Sequence, residues 1–227
     1  MTAQRSRSHH YDVPKTPERF LPWLILALTI AGSAWCYPSL PARLVTHWNA
    51  AGQPDGHMAK ASGVVVLPLL MCVLGLLLSA LPRVSPKALA PDGFTRAYYL
   101  MTSAILGLLA LVQGLILATG AGIAVDIKRW VPAAMGGLFI VLGNLLSKTK
   151  KNFFVGIRTP WTLANDEVWS RTHRFGGKVF VVVGVLLIVV AALRGSIMSV
   201  VIGAVLAGLI PAVYSYLQYR RLSKTVS

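Results

Sequence analysis

Residues 62–81 read SGVVVLPLLMCVLGLLLSAL and contain no charged side chain. A helix of about 20 mainly apolar residues is long enough to cross the hydrocarbon layer of a bilayer. Over the whole chain of 227 residues, 55% are hydrophobic and only 13% are charged, whereas about 25% of the residues in a soluble domain carry a charge. This stretch and the composition together predict an integral membrane protein.

Further apolar runs lie on both sides of this stretch. The predicted spans cover residues 20–37, 62–81, 97–123, 130–147, 179–193 and 197–217. We interpret them as helices, because a helix satisfies its own backbone hydrogen bonds in lipid and an isolated strand does not. The predicted fold is all-α: a polytopic membrane protein with about six transmembrane helices.

The distribution of basic residues predicts the orientation. The formal net charge is +15, which in a soluble protein would suggest a nucleic-acid partner. With the N-terminus inside, 17 of the 22 Lys and Arg residues fall in cytoplasmic segments and 5 in external ones. Such an excess is expected of cytoplasmic loops in membrane proteins. We therefore predict that both termini are cytoplasmic, and the charge requires no direct nucleic-acid binding.

The segments between the spans predict how the chain is organised. Residues 1–19 are predicted to form a flexible cytoplasmic tail, and residues 218–227 a C-terminal cytoplasmic tail. Residues 20–81 hold the first two helices with a structured outer loop at 38–61, and residues 97–217 hold a four-helix membrane region with an inner loop at 148–178. We therefore expect two folded polar segments on opposite sides of the membrane.

The interiors of the predicted spans hold almost no ionisable side chains. Because such groups usually mark ion and substrate paths, this pattern argues against a transporter. Gln113, near the centre of the third span, is interpreted as a residue that hydrogen-bonds between helices. Ala133 and Gly137, and likewise Gly203 and Ala207, have the spacing of small residues that is typical of close helix contacts.

The outer loop contains the sequence HWNAAGQPDG at residues 47–56. Trp48 is an amphipathic ring of the kind that settles at a lipid–water interface, and Asn49, Gly52 and Asp55 are typical turn residues. The two histidines of the loop, with its Asn and Asp side chains, also offer metal-ligand atoms, but their spacing matches no established metal motif. We predict a compact loop that Trp48 and the turn residues hold in place, without a metal.

Between the fourth and fifth spans the chain reads KNFFVGIRTPWTLANDEVWSRTHRFGGK at residues 151–178. Thr159 followed by Pro160 is typical of a helix start, and Asn165 is a suitable cap for a second short helix. We predict that this second helix is amphipathic and lies along the inner membrane surface. The glycine pair at 176–177 is then predicted to bend the chain into the fifth span.

Aromatic and charged side chains are dense in this inner loop. Trp161 and Trp169 are predicted to lie at the membrane interface. Arg158 and Arg174, with His173, offer hydrogen bonds to an anionic group such as a lipid phosphate or a carboxylate; alternatively, Arg158 pairs with one of the two acids of the loop and locks it. The candidate ligand-binding or partner-binding residues are Asn144, Asn152, Arg158, Trp161, Glu167, Trp169, His173 and Arg174.

A different hypothesis treats the inner loop as a catalytic site. His173 would act as a base on a lipid head group, and Glu167 would orient its ring. The loop shows no established spacing of nucleophile and base and no complete metal cluster, so we predict no catalytic residue, no cofactor and no enzyme activity. A small-molecule transporter is a further alternative, which the apolar spans argue against.

The stretch GNLLSKTKKNFFVGIRTPWTLANDEVWSRTHRFGGK, residues 143–178, closely resembles the hallmark of the SdpI family, the immunity proteins for a secreted sporulation-delaying toxin. The outer sequence HWNAAGQPDG resembles the small extracytoplasmic domain that often precedes this hallmark. The resemblance covers the first two spans and the last three. It implies a multi-pass protein of the bacterial inner membrane with six spans.

The resemblance also implies partners. A member of this family is expected to protect its cell from a secreted antimicrobial peptide toxin and, once toxin is bound, to hold a transcriptional repressor at the membrane. In this hypothesis the outer loop helps to contact the peptide, and the inner loop presents a changed surface to the repressor. The outer-loop residues assigned to the ligand are His47, Trp48, Asn49, Gly52 and Asp55.

Overall fold

The computed structural model of the chain describes residues 16–84, 94–152 and 154–225. Six of its helices are long and apolar enough to cross a membrane, which confirms the predicted fold class. Most of the predicted N-terminal tail, up to position 15, lies outside the described residues. Its last part is ordered, because Pro17–Phe20 form a short 3-10 turn that leads directly into the first helix.

The elements follow one another along the chain in a simple order. The helices are α1 (Leu21–Cys36), α2 (Lys60–Val84), α3 (Thr95–Gly120), α4 (Ile127–Leu146), α5 (Pro160–Ala164), α6 (Asp166–Ala192) and α7 (Met198–Thr225). A second 3-10 turn, Tyr37–Ser39, and the strands β1 (Arg43–Trp48) and β2 (Pro54–Ala59) lie between α1 and α2. All helices except the short α5 are candidate membrane spans.

Helix α6 differs from the prediction. The predicted surface helix and the fifth span form one continuous helix, so the expected bend at Gly176 and Gly177 is wrong. A Cβ atom added at Gly177 would lie 2.6 Å from the carbonyl oxygen of Gly143, so this glycine serves close packing and not a turn. With 27 residues, α6 is about 40 Å long. It is therefore longer than the roughly 30 Å hydrocarbon layer is thick.

The membrane helices form two groups that α3 and α4 join. Helices α1, α2 and α3 pack around the buried side chains of Leu26, Met71 and Leu106. Helices α4, α6 and α7 pack around a second cluster that includes Phe139 and Leu187. Large apolar side chains on the outer faces of the helices are exposed, as expected for surfaces that contact lipid.

The closest helix contact is between α4 and α6 and is made by glycines seven residues apart on each helix. Gly136 faces Gly184, and Gly143 faces Gly177; at each position a Cβ atom would lie 2.5–2.6 Å from the carbonyl oxygen of the facing glycine. Gly137, which the spacing favoured as a contact, has no atom within 4 Å of a Cβ placed there. The contact on α4 is therefore made by Gly136, one residue before the predicted Gly137.

Gln113 joins the helices of the first group, as predicted. Its side chain is fully buried, and its Nε2 lies 3.4 Å from Ser33 Oγ and from the carbonyl oxygens of Gly63 and Val64. Ser33 belongs to α1, whereas the two carbonyls belong to α2. The amide thus bridges three helices within the bundle.

The predicted outer loop contains a two-stranded antiparallel β-hairpin, an element that the all-α prediction omitted. Alternate residues of β1 point inward, and Leu44, its second residue, is completely buried. Leu44 packs with Leu40 and Ile116, and Trp48 packs against the same cluster. The hairpin therefore sits on the ends of α2 and α3, and Trp48 holds it in place as predicted.

Candidate functional site

Polar side chains are concentrated at two opposite ends of the helix bundle. We call the end that carries β1, β2, the α3–α4 connection and the α6–α7 turn the hairpin end. We call the opposite end, where residues 147–159 connect α4 to α5, the loop end. The candidate residues of the predicted outer loop lie at the hairpin end, and those of the predicted inner loop lie at the loop end.

Asn152 organises the α4–α5 connection. Its Nδ2 donates hydrogen bonds to the carbonyl oxygens of Lys150 and Val155, at 2.8 and 3.0 Å. Its Oδ1 accepts hydrogen bonds from the backbone N–H groups of Phe154 and Val155, both at 2.8 Å. The two donors and the acceptor oxygen are therefore fully engaged. With 1% of its surface exposed, Asn152 shapes the loop from within.

His173 ties the same loop to α6. Its Nε2 accepts a hydrogen bond of 3.0 Å from the backbone N–H of Ile157, and its Nδ1 lies 2.8 Å from the carbonyl oxygen of Trp169. A backbone N–H only donates and a carbonyl only accepts, so the ring is neutral with its hydrogen on Nδ1. Gly156, with φ +122°, brings the backbone directly against Nε2. Both ring nitrogens are occupied, and neither faces solvent.

The two tryptophans join elements of the loop end. Trp169 is 3% exposed; its indole stacks on the ring of His173 at 4.0 Å, and its Nε1 donates to the carbonyl oxygen of Thr149 at 3.0 Å. Its predicted place at the membrane interface is therefore wrong, since the ring is enclosed by protein. Trp161 is half-buried and packs against Tyr216 of α7, with 5.0 Å between the ring centres.

The predicted helix starts are confirmed. Thr159 caps α5 through a capping box with Thr162, and Pro160 occupies the first helical position. The Thr159 hydroxyl also lies 2.9 Å from Ser215 Oγ, which connects the cap to α7. Asn165 caps α6 by accepting two backbone N–H groups of its first turn. These caps explain why a five-residue helix is stable between two longer ones.

The acids of the loop end are already paired. Glu167 accepts a 2.7 Å hydrogen bond from Arg171, one turn further along α6, as the spacing predicts. Asp166 pairs with Lys151 at 2.5 Å. Arg158 is exposed and makes no ion pair within residues 16–84, 94–152 and 154–225, so of the two alternatives for Arg158 the internal pairing with an acid of the loop is not formed. Glu167 is bonded to Arg171 and not to His173, so the arrangement of the catalytic hypothesis is not formed.

Asn144 and Arg174 are brought together at an open cleft of about 980 Å³ over the outer face of α6. Ser147, the residue that follows α4, and Lys178 of α6 line the same cleft. Asn144 donates one hydrogen bond to the carbonyl oxygen of Ile140, in the preceding turn of α4. The predicted inner-loop residues thus divide into a buried set that builds the loop and an exposed set that faces the surroundings.

At the hairpin end, the exposed polar residues of the hairpin contact one another. His47 Nδ1 and Asp55 Oδ1 are 2.6 Å apart across the two strands. Asn49 Oδ1 accepts the backbone N–H groups two and four residues ahead, and Gly52 adopts a positive φ of 77°, as the turn prediction required. Within the described residues, no group of three or more His, Cys, Asp and Glu side chains is placed to hold a metal ion.

Two contributors to the loop end were missed from the sequence. Thr162 is completely buried, and its Oγ1 lies 2.9 Å from the carbonyl oxygen of Ile157 and 3.0 Å from that of Thr159, so its one hydroxyl hydrogen has an acceptor. The Thr-x-x-Thr spacing at the start of a helix was the available signal. Lys178 lines the cleft with Arg174 because the two residues lie one turn apart on α6. The predicted bend at Gly176 and Gly177 placed Arg174 and Lys178 on different segments, so their spacing on one helix was not recognised.

The structure is a bundle of six helices of membrane-spanning type. A small β-hairpin lies at one end, and a hydrogen-bonded loop closes over α6 at the other. This architecture is that of a multi-pass membrane protein. Residues 148–215 match the model of the SdpI/YfhL protein family, and residues 24–72 match a domain of unknown function, DUF1648. Over residues 148–215 the chain is therefore similar to the SdpI/YfhL protein family. The first match covers the loop end with α5, α6 and most of α7. The second covers the hairpin with most of α1 and the first half of α2.

A curated relative supports the assignment along most of the chain. The Immunity protein SdpI of Bacillus subtilis (strain 168) is 27% identical over 205 residues, which cover 88% of this chain and 95% of the relative. No solved structure matches the chain. The six membrane-spanning helices indicate a multi-pass membrane protein, and the chain is similar along most of its length to an immunity protein.

Proposed function

We propose that this chain is an immunity protein of the bacterial inner membrane that confers resistance to a secreted antimicrobial peptide toxin. The observation that carries the proposal is the similarity to the Immunity protein SdpI, which extends over 88% of the chain. Both polar ends of the bundle lie within matched family segments. The proposal places the hairpin end outside the cell and the loop end in the cytoplasm, consistent with the excess of basic residues near the loop end.

The hairpin offers the exposed surface that would meet a peptide from outside. His47 and Asp55 are both exposed and form a paired polar group on the face of the hairpin away from the bundle. Their imidazole and carboxylate provide hydrogen-bond donors and acceptors to a peptide backbone or to a basic side chain. Because the hairpin is packed on α2 and α3 through Leu44, a ligand bound there acts on a surface that is fixed to the membrane helices.

A packed route connects the two ends. Gly52 of the hairpin lies against the side chain of Lys128 at the start of α4. Helix α4 is held against α6 by the glycine contacts, and α6 carries His173 and Trp169, which fasten the loop. In the proposed mechanism, peptide binding shifts α4 and α6 and changes the surface of the loop end, where the exposed Arg158 is available to a cytoplasmic repressor.

Survival of a toxin-sensitive bacterium tests the immunity function. Cells that express the chain should grow in concentrations of secreted peptide toxin that kill cells with an empty vector, provided that the protein is present in the membrane fraction. The double variant His47→Ala with Asp55→Ala should lose much of this protection. The matched control replaces Asp126 and Arg194 by alanine, because they form another exposed ion pair, at 3.4 Å, at the same end.

The outcomes distinguish a failure of the immunity function from a failure of the proposed peptide-binding surface on the hairpin. If the chain protects against no candidate toxin peptide while it is present in the membrane, the immunity function is refuted. If it protects and both double variants behave alike, the hairpin pair does not contact the peptide. Recruitment of a repressor is tested separately, by asking whether a repressor moves from the soluble to the membrane fraction when toxin is added, and whether Arg158→Glu prevents that movement.

A further inference from the structure

We propose that the cleft over α6 binds the phosphate head group of an anionic phospholipid from the leaflet at the loop end. The cleft has a volume of about 980 Å³ and is open to the surroundings along the outer face of α6. Helix α4 bounds it on one side, and Tyr214 of α7, stacked on Phe175 at 4.2 Å, lies at the other. Lipid is the molecule that surrounds this face of a membrane bundle, so the ligand is supplied by the bilayer itself.

The charges of the cleft favour an anion. Arg171, Arg174 and Lys178 line it, and among the residues that the structure describes no Asp or Glu does so. Arg171 is already bonded to Glu167 and lies 3.3 Å from Gln218, so its charge is compensated within the protein. Arg174 and Lys178 are exposed and take part in no ion pair within the described parts of the chain. Two uncompensated cations one helical turn apart are a suitable partner for one phosphate.

The order of residues along α6 matches the order of groups in a phospholipid. Lys178 is the last charged residue of the helix, and from Val179 to Ala192 every side chain is apolar or absent. Val181 and Val182 line the deeper part of the cleft, and Val182 is exposed toward the lipid. A head group at Arg174 and Lys178 therefore directs its acyl chains along the valines and toward the bilayer centre.

Helix α4 supplies neutral hydrogen-bonding groups on the other side of the cleft. Asn144 and Ser147 both line it and are exposed, and one Nδ2 hydrogen of Asn144 is free after its bond to the Ile140 carbonyl. The contact of Gly143 with Gly177 brings α4 and α6 close enough for both walls to reach one head group. Neutral donors next to two cations are typical of phosphate sites.

Native mass spectrometry of the full chain in detergent tests the site. The protein is mixed with phosphatidylglycerol or with phosphatidylcholine, both with palmitoyl and oleoyl chains. We expect one retained phosphatidylglycerol per chain that withstands collisional activation, and no equivalent retained phosphatidylcholine. The double variant Arg174→Gln with Lys178→Gln should weaken the binding of phosphatidylglycerol about 25-fold, since each basic residue near an anionic surface contributes about a factor of five.

The matched control removes the same two charge types at the same end of the bundle. Arg83→Gln with Lys150→Gln also replaces one exposed Arg and one exposed Lys, and neither residue lines the cleft. The control should retain phosphatidylglycerol as the parent chain does. All replaced side chains are exposed, so the thermal midpoints of both double variants in lipid-free detergent should agree with that of the parent chain.

Three results would overturn the proposal. Equal retention of the two lipids by the parent chain would mean that the face does not recognise the net negative charge of the head group, because both lipids carry a phosphate and only phosphatidylglycerol is a net anion. An equal loss in both double variants would mean that total charge, and not the cleft, determines binding. Displacement of the bound lipid by millimolar inorganic phosphate would mean that a free phosphate and not a membrane lipid is the ligand.

Discussion

Replacing Gly143 by alanine tests the packing on which the loop end depends. The added Cβ would lie 2.6 Å from the carbonyl oxygen of Gly177 and 2.9 Å from Cβ of Phe180. The nearest atom belongs to the backbone of α6, so it cannot move aside as a flexible side chain would. Helices α4 and α6 must separate, and the contacts of their facing residues are loosened along the interface.

The expected cost follows from two opposing effects. Overpacking of this kind costs about 1–3 kcal/mol, and the backbone contact places Gly143→Ala near the upper value. Alanine recovers about 1 kcal/mol relative to glycine within a helix, so the net loss of unfolding free energy is about 2 kcal/mol. Gly137→Ala is the matched control, because it lies on the same helix and has no atom within 4 Å of the added Cβ. It should gain up to about 1 kcal/mol.

Thermal unfolding of the purified variants in detergent measures the difference. A separation of about 3 kcal/mol between the two variants corresponds to roughly 6–12 °C in Tm for a chain of this size. Gly177→Ala should resemble Gly143→Ala, and the double variant should lose less than the sum, because helices that are already apart accept the second methyl group. Equal Tm values for Gly143→Ala and Gly137→Ala would refute the glycine contact.

Three further substitutions address the loop itself. His173→Leu leaves the buried N–H of Ile157 without its acceptor, so we expect a loss of about 1–3 kcal/mol in unfolding free energy and faster proteolysis of the α4–α5 connection. Asn152→Ala removes four hydrogen bonds from the same loop and should increase its hydrogen exchange while the exchange of α3 stays unchanged; unaltered exchange in the loop would contradict the role given to Asn152. Gly156→Ala should lower the Tm more than Gly122→Ala: both glycines have positive φ, but only the first meets His173, and equal effects would show that the contact is unimportant.

Hydropathy and cap signals were sufficient to predict the membrane helices and the ends of the short ones. The six spans follow from runs of apolar residues, and the caps at Thr159 and Asn165 follow from side chains that accept backbone N–H groups locally. Turn chemistry likewise predicted the positive φ of Gly52. Each of these features is decided by residues close together in the chain, so the sequence pattern carries the information directly.

Long-range contacts decided what the sequence could not predict. The first turns of α6 are rich in polar residues, which suggested a helix on the membrane surface; in the structure, Trp169 and His173 are buried because a loop from before α5 folds over them. Gly177 suggested a bend, but the position of Gly143 on another helix explains it as a close contact. The β-hairpin was missed because the inward face of β1 holds only three side chains. Two of them, Leu44 and Trp48, are apolar, and Thr46 between them is partly polar.

The continuity of α6 has a mechanical consequence for the proposed function. A bent chain would separate the membrane span from the inner loop, whereas one helix joins the glycine contacts to His173 within a single rigid rod. Hydrogen bonds of 2.8–3.0 Å at His173 and Trp169 hold the loop to that rod, and such bonds weaken steeply when their geometry is lost. A displacement of α6 by about 1 Å would break them. We infer that a small movement of α4 against α6 breaks these hydrogen bonds and exposes loop groups that are now buried. A cysteine cross-link between α4 and α6 at the loop end should abolish this exposure. In the proposed function it should leave peptide binding at the hairpin intact.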